Sequence, residues 1–232
     1  MRKQVVGGLA LSLIVGSGLF GTPQDAVTHQ TGDDKRITIR IHNYALVPAS
    51  VLREAEQTAA SILRNAKVDS AWVECPTVPS SSTEAACTRP VTPLILILNL
   101  LPESMAQRLN FQDDAFGVAV ESSEKDFGFL SSVFYDRVRR CTVHERIDLA
   151  PLLGHVMAHE LGHLLLGTHS HSRSGLMSAS WSCRQILAVE QRGLSFSTSE
   201  AKRLQTAMMA RSQGAMSVTE ARNQHNLGLG SR

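Results

Sequence analysis

The chain is predicted to fold as an α/β domain: a twisted mixed sheet of about five strands with a first helix, a long apolar helix and a C-terminal helix. Three observations predict it. Segments of strand-like alternation or continuous apolar character are interleaved with segments of helical period. The run Leu94-Ile95-Leu96-Ile97-Leu98 has no polar face, as a strand covered on both sides of a sheet requires. The stretch from Leu149 to Leu166 is apolar nearly all round, as a helix inside a core requires.

Each element has its own signal. Arg2 and Lys3 precede an apolar run from Val5 to Phe20, the pattern of an export signal and shorter than the roughly 18 residues that mark a membrane span. Residues 1–21 therefore read as a signal peptide, or an anchor if uncleaved, and residues 22–35 as a linker. Without the run, the rest of the chain carries no stable membrane span. Arg36 to Ile41 alternates as a strand, and Ala49 to Ala66 places Val51, Leu52, Ala55, Ala59, Ile62 and Leu63 at helical spacing. Ser70 to Cys75, Leu94 to Leu98, Ala115 to Val120 and Ser131 to Val138 complete the strands. The apolar helix starts near Leu149 behind Asp148, a capping residue type, and Gly167 supplies the glycine that commonly ends a helix. Ser197 and Glu200 form a capping box for a last helix reaching about Arg211. The domain is thus expected over residues 36–211, with 212–232 a flexible tail.

Composition narrows the function. The net charge is +2, aromatic residues make up 5% of the chain and no basic cluster is interleaved with them, so nucleic acid is not an expected partner. Four cysteines, Cys75, Cys87, Cys141 and Cys183, suit an oxidising compartment in which they pair. Proximity favours Cys75 with Cys87 around a Pro/Ser-rich loop, leaving Cys141 and Cys183, although free buried thiols are the rival reading. No CxxC spacing occurs to hold a metal. A secreted or periplasmic location is the expectation.

The chemistry lies at His159-Glu160-Leu161-Gly162-His163. Side chains four apart stand over one another on a helix, so His159 and His163 are placed to offer nitrogens to one ion. Glu160 is turned by about 100° from His159, off the coordination axis yet within reach of a water beside the metal, where it would act as general base. Two imidazoles and a carboxylate so arranged point to zinc and to hydrolysis. A catalytic zinc takes three protein ligands and a water, so a third donor must come from beyond the helix. His169 and His171 both qualify, and His169 is narrowly favoured. His155, one turn upstream, reads first as a supporting or core group. Tyr135 and His144 precede the helix as structural residues first and oxyanion partners second.

The segment resembles the metzincin zinc peptidases, whose pattern is HExxHxxGxxH followed by a methionine-bearing turn. His159, Glu160, His163 and His169 fall on that spacing, and Ser174-Gly175-Leu176-Met177 resembles the Met-turn. The family glycine would fall on Leu166, whereas this chain has Gly167, which displaces the returning chain and makes His171 a candidate. His155 to Trp181 is also similar to uncharacterised bacterial secreted proteins reading GHxxAHExGHLLLGxxSHSxxGIM, in which the histidine matching His171 recurs. The resemblance covers most of residues 36–211. It implies a zincin (metzincin-like) domain, a zinc cofactor, a peptide or protein substrate lying along an edge strand, either 115–120 or 131–138, and endopeptidase activity. A zinc-binding module without catalysis and a zinc amidase acting on envelope material are the alternatives.

Overall fold

Alternation in the first strand decides which face of the sheet receives helices. In β1 (Ile37–Asn43), Ile37, Ile39 and Ile41 are fully buried, because successive strand residues point to opposite faces. All three belong to one hydrophobic cluster with Leu52, Ala59, Leu153 and Leu161. Four further strands join it: β2 (Ser70–Cys75), β3 (Ile95–Leu101), β4 (Gly117–Ala119) and β5 (Leu130–Phe134). Their order is β2-β1-β3-β5-β4. β4 alone runs antiparallel, so the sheet is mixed, with β4 on one edge.

The structure is a computed structural model describing residues 35–78, 84–109, 115–120, 127–167, 170–179 and 194–229, the side chains of 144, 145, 219 and 221–229 excepted. Met1–Thr31 and Gly32–Arg232 form two separate units. The first, which contains the expected signal, lies outside the described residues. No described helix is long and apolar enough to cross a membrane.

Helix α1 (Ala49–Asn65) buries Leu52, Ala55, Ala59, Ile62 and Leu63, as their spacing predicts. Short helices α2 (Ala85–Thr88) and α3 (Glu103–Arg108) occupy stretches without a sequence signal. Two expectations need correcting. The strand expected over Ser131–Val138 ends at Phe134, and Tyr135–Glu145 is helix α4. Val133, Phe134 and Tyr135 carry strand propensity across the boundary, but Tyr135, Val138 and Cys141, three residues apart, are the apolar side chains of Tyr135–Glu145 that bury. That spacing is helical. The last helix, α6 (Thr198–Leu229), also runs well past Arg211, since no proline interrupts the segment. Gly214 within it packs closely on Phe127, since a Cβ there would lie 3.0 Å from the ring. Its start follows the capping box as read: Ser197 N–H donates to Glu200 Oε2 at 2.7 Å and Glu200 N–H donates to Ser197 Oγ at 3.3 Å.

Cys75 and Cys87 form a disulfide. Cys141 is also disulfide-bonded, and Cys183 lies outside the described residues.

The long apolar helix is α5 (Leu149–Leu166). It crosses α1 so closely that a Cβ on Gly154 would lie 2.6 Å from both the Ala55 carbonyl oxygen and Thr58 Cβ. A backbone oxygen cannot step aside, so Gly154→Ala is expected to cost about 2 kcal/mol through overpacking. The midpoint of a denaturant titration checks this, and an unchanged midpoint refutes so tight a crossing. On the far side of α1, Glu56 is half-buried with Oε1 unpartnered among the described residues. Burial, and then repulsion from Glu74, push its carboxyl up to about 7, against a smaller opposing effect of Arg53. Folding therefore favours the protonated form, and the stability contributed below the ordinary carboxylate range is lost as pH rises through about 7. Glu56→Gln is expected to melt like the parent at pH 4 and above it at pH 8. A constant difference in melting temperature across that range would contradict the burial assigned to Glu56.

Candidate metal centre

α5 presents the motif from inside the core. Leu152, Leu153, Val156, Met157, Leu161, Leu164 and Leu165 bury around it, so the helix is held on nearly every side. Asp148 stands at the N-cap position with extended backbone, although its side chain makes no capping hydrogen bond. The other end is closed by Gly167 at φ +96°, whose N–H donates to the His163 carbonyl at 2.9 Å. That dihedral is strained for any residue with a Cβ. Two arginines from α6 complete the terminus: Arg203 Nη2 donates to the Leu166 carbonyl at 2.9 Å and Arg211 Nη2 to the Leu164 carbonyl at 2.6 Å. Cations at a helix C-terminus oppose the negative end of its dipole. Arg211 also donates to the carbonyls of Pro93 and Gly128, and its burial lowers its pKa to about 10.

Beyond Gly167 the chain returns and brings His171 to the motif. Nitrogens of His159, His163 and His171 lie within 4.8 Å of one another. The His159 and His163 Nε2 atoms approach to 3.0 Å. Nitrogens on one tetrahedral zinc are about 3.3 Å apart at ordinary bond lengths, so the pair needs only a few tenths of an ångström to fit. The outer nitrogens are occupied. His159 Nδ1–H donates to the Leu176 carbonyl at 2.6 Å, and His163 Nδ1 lies 3.2 Å from Ser170 Oγ. With the protons on Nδ1, both Nε2 lone pairs face the common point, which is how outer partners set the tautomer of a metal-binding imidazole. Burial is the main force lowering both pKa values to about 4, aided at His163 by its two imidazole neighbours and at His159 by His171. Neutral imidazoles are what a metal needs. Three nitrogens, with His171 an exposed residue, fit a zinc site with its fourth position open. His169 lies outside the described residues.

Glu160 is 5% exposed. Its Oε2 is buried with no hydrogen-bond partner among the described residues, and burial raises its pKa to about 8. Edge strand β4 passes directly against it: a Cβ on Gly117 would lie 2.5 Å from Glu160 Oε1. Gly117, Ser170 and the Leu176 carbonyl touch the motif in ways that sequence reasoning missed. A glycine within a strand is the one available signal, for it often marks a close approach. Met177 is fully buried beneath Gly162, where a Cβ would lie 2.6 Å from its Sδ. It packs under the helix as the Met-turn reading expects.

Of the remaining candidates, His155 and Tyr135 are buried. His155 Nδ1–H donates to the Pro151 carbonyl at 2.8 Å, and the ring borders a cavity of about 550 Å³ with Gln57, Ser61 and Asn65 of α1. Tyr135 packs in the core. The His144 side chain lies outside the described residues. Of the two strands considered for substrate, β4 is an edge while β5 is enclosed between β3 and β4.

Fold and site together define an α/β domain with a buried HExxH helix and a returning turn that gather three imidazoles on the helix-bearing side of a mixed sheet. Among solved structures, the chain is similar to an archaemetzincin from Methanopyrus kandleri, at 19% identity over 75% of this chain and 97% of that one with a TM-score of 0.45. It is also similar to a zinc-dependent peptidase from Methanocorpusculum labreanum, at 13% identity over 72% and 99% with a TM-score of 0.49. No family model matches the sequence, and no curated protein matches it significantly.

Proposed function

We propose that this chain is an exported zinc-dependent metallopeptidase. The observation that carries the reading is the convergence of His159, His163 and His171 within 4.8 Å, beside a buried carboxyl on the same helix. His159, His163 and His171 would hold the ion, His171 taking the place for which sequence spacing favoured His169. Zinc bound there supplies a Lewis acid that polarises a carbonyl and acidifies a water. Glu160 takes the proton from the attacking water on its carboxylate and delivers it to the leaving amine. Its environment supports that role, since Oε2 is buried with no hydrogen-bond partner among the described residues, which leaves it free to accept a proton.

The substrate reading rests on β4. Its outer edge is free of a partner strand among the described residues, and an extended peptide adds to such an edge through main-chain hydrogen bonds. Because Gly117 lies against Glu160, a peptide on β4 would pass the general base. Export is supported by the apolar run behind Arg2 and Lys3 and by the Cys75–Cys87 disulfide, which persists in oxidising compartments.

The test is turnover of a quenched peptide library by the purified full chain, with and without chelator, with peptidoglycan fragments offered in parallel. Chelator-sensitive peptide cleavage, restored by zinc, supports the peptidase. Cleavage of the envelope fragments alone would reassign the chemistry to an amidase. Stoichiometric zinc with no turnover of either would leave a binding module.

A further inference from the structure

On the sheet face away from α5, β1 carries a buried arginine, two of whose nitrogens lack a hydrogen-bond partner among the described residues. Arg40 lies between Ile39 and Ile41, whose side chains enter the helix-covered core, so strand alternation sends its own side chain to the opposite face. Its lateral neighbours in register are Val73 of β2 and Ile97 of β3. Arg40 is 3% exposed, yet Nε and Nη2 have no hydrogen-bond partner and no carboxylate pairs with it among the described residues. These two nitrogens form one edge of the guanidinium, the parallel donor pair that grips two oxygens of a single anion. A buried charge left unpaired is among the costlier defects a fold can carry, and native buried polar groups are nearly always satisfied.

The surroundings point to the missing partner. His42, next along the same face of β1, has a buried Nδ1 that is also unpartnered among the described residues. Arg89 lies near enough for its positive charge to act on Arg40. Two residues before Arg89, Cys87 is tied to Cys75, the β2 residue in register with His42. The disulfide thus ties the segment that carries Arg89 to the β2 residue beside His42. We infer that Arg40, His42 and Arg89 form a binding site for a phosphate group, with the Nε and Nη2 edge of Arg40 donating to two of its oxygens and His42 Nδ1–H to a third. Two permanent positive charges and a third donor suit a dianion with more than two oxygens better than a carboxylate. The site is separate from the metal centre, which occupies the helix-covered side.

The experiment titrates inorganic phosphate into the zinc-loaded full chain at constant ionic strength, read by calorimetry and by melting temperature, with acetate as the monoanion control. Expected is saturable one-to-one binding that raises the melting temperature, with little response to acetate. Arg40→Lys, which loses the parallel edge but keeps the charge, should weaken binding by about tenfold, the scale of one charge-assisted hydrogen bond. Arg40→Met should abolish saturable binding. In phosphate-free buffer it should melt no lower than the parent, and the order should reverse as phosphate is added. His163→Ala should bind phosphate unchanged, which separates this site from the metal. An absence of saturable binding to the parent, equal acetate binding, or loss of phosphate binding in His163→Ala would overturn the inference. So would an Arg40→Met chain that melts lower in phosphate-free buffer or fails to fold, because the guanidinium would then be satisfied within the protein.

Discussion

Glu160→Gln is expected to lower peptide turnover by about 10²–10⁴-fold, the usual contribution of a positioned general base, while zinc remains bound at one equivalent. The amide matches the carboxylate in shape but cannot accept the proton. It also leaves the three imidazoles untouched. Because burial raises the Glu160 carboxyl to about 8, the metal-free fold favours its neutral form and loses stability as pH rises from the ordinary carboxylate range through that value. The metal-free Gln variant should therefore melt at or above the metal-free parent at pH 8, which excludes unfolding as the cause of lost activity. Gly117→Ala offers a second route to the same loss. The added methyl would meet Glu160 Oε1 at 2.5 Å, so the carboxyl must move while every ligand stays in place. Zinc content with kcat, measured on both variants, checks the argument. Undiminished turnover by Glu160→Gln would remove the residue from the chemistry.

His171→Ala is expected to lose zinc affinity by more than about 100-fold, beyond the 10–100-fold that follows removal of an outer-shell partner. His169→Ala should lose far less. The loss expected for His171→Ala follows from the cluster itself, in which the His171 ring lies 4.6 Å from that of His163 and 5.7 Å from that of His159. Competition against a chromogenic chelator gives both affinities directly. A greater loss in His169→Ala would return the third ligand to the position that the motif spacing favours, while leaving the peptidase reading standing.

How far the sequence could be read depended on whether the deciding interaction was local. The capping box of Ser197 and Glu200, the amphipathic α1 and the end of α5 at Gly167 all follow from contacts within a turn or two, and each was legible. The boundary at Tyr135 was not, because three residues of strand propensity straddle it and only burial of Val138 and Cys141 shows which period continues. The arrival of His171 beside His163 depends on the path after Gly167, and spacing alone could not choose between two histidines two residues apart.

By itself the sequence determined that a helix with imidazoles four residues apart and an adjoining carboxylate would be buried, because apolar periodicity and helical geometry are properties of the chain alone. Tertiary structure decided what surrounds it: Leu176 and Ser170 orient the two rings, Gly117 gives Glu160 its space, β4 forms the open edge, and Arg40 keeps two nitrogens without a partner among the described residues on the opposite face. Those relations join residues that are distant along the chain. They exist only once the sheet order and the helix crossing bring them together, and no local pattern of residue types encodes a distance between such segments.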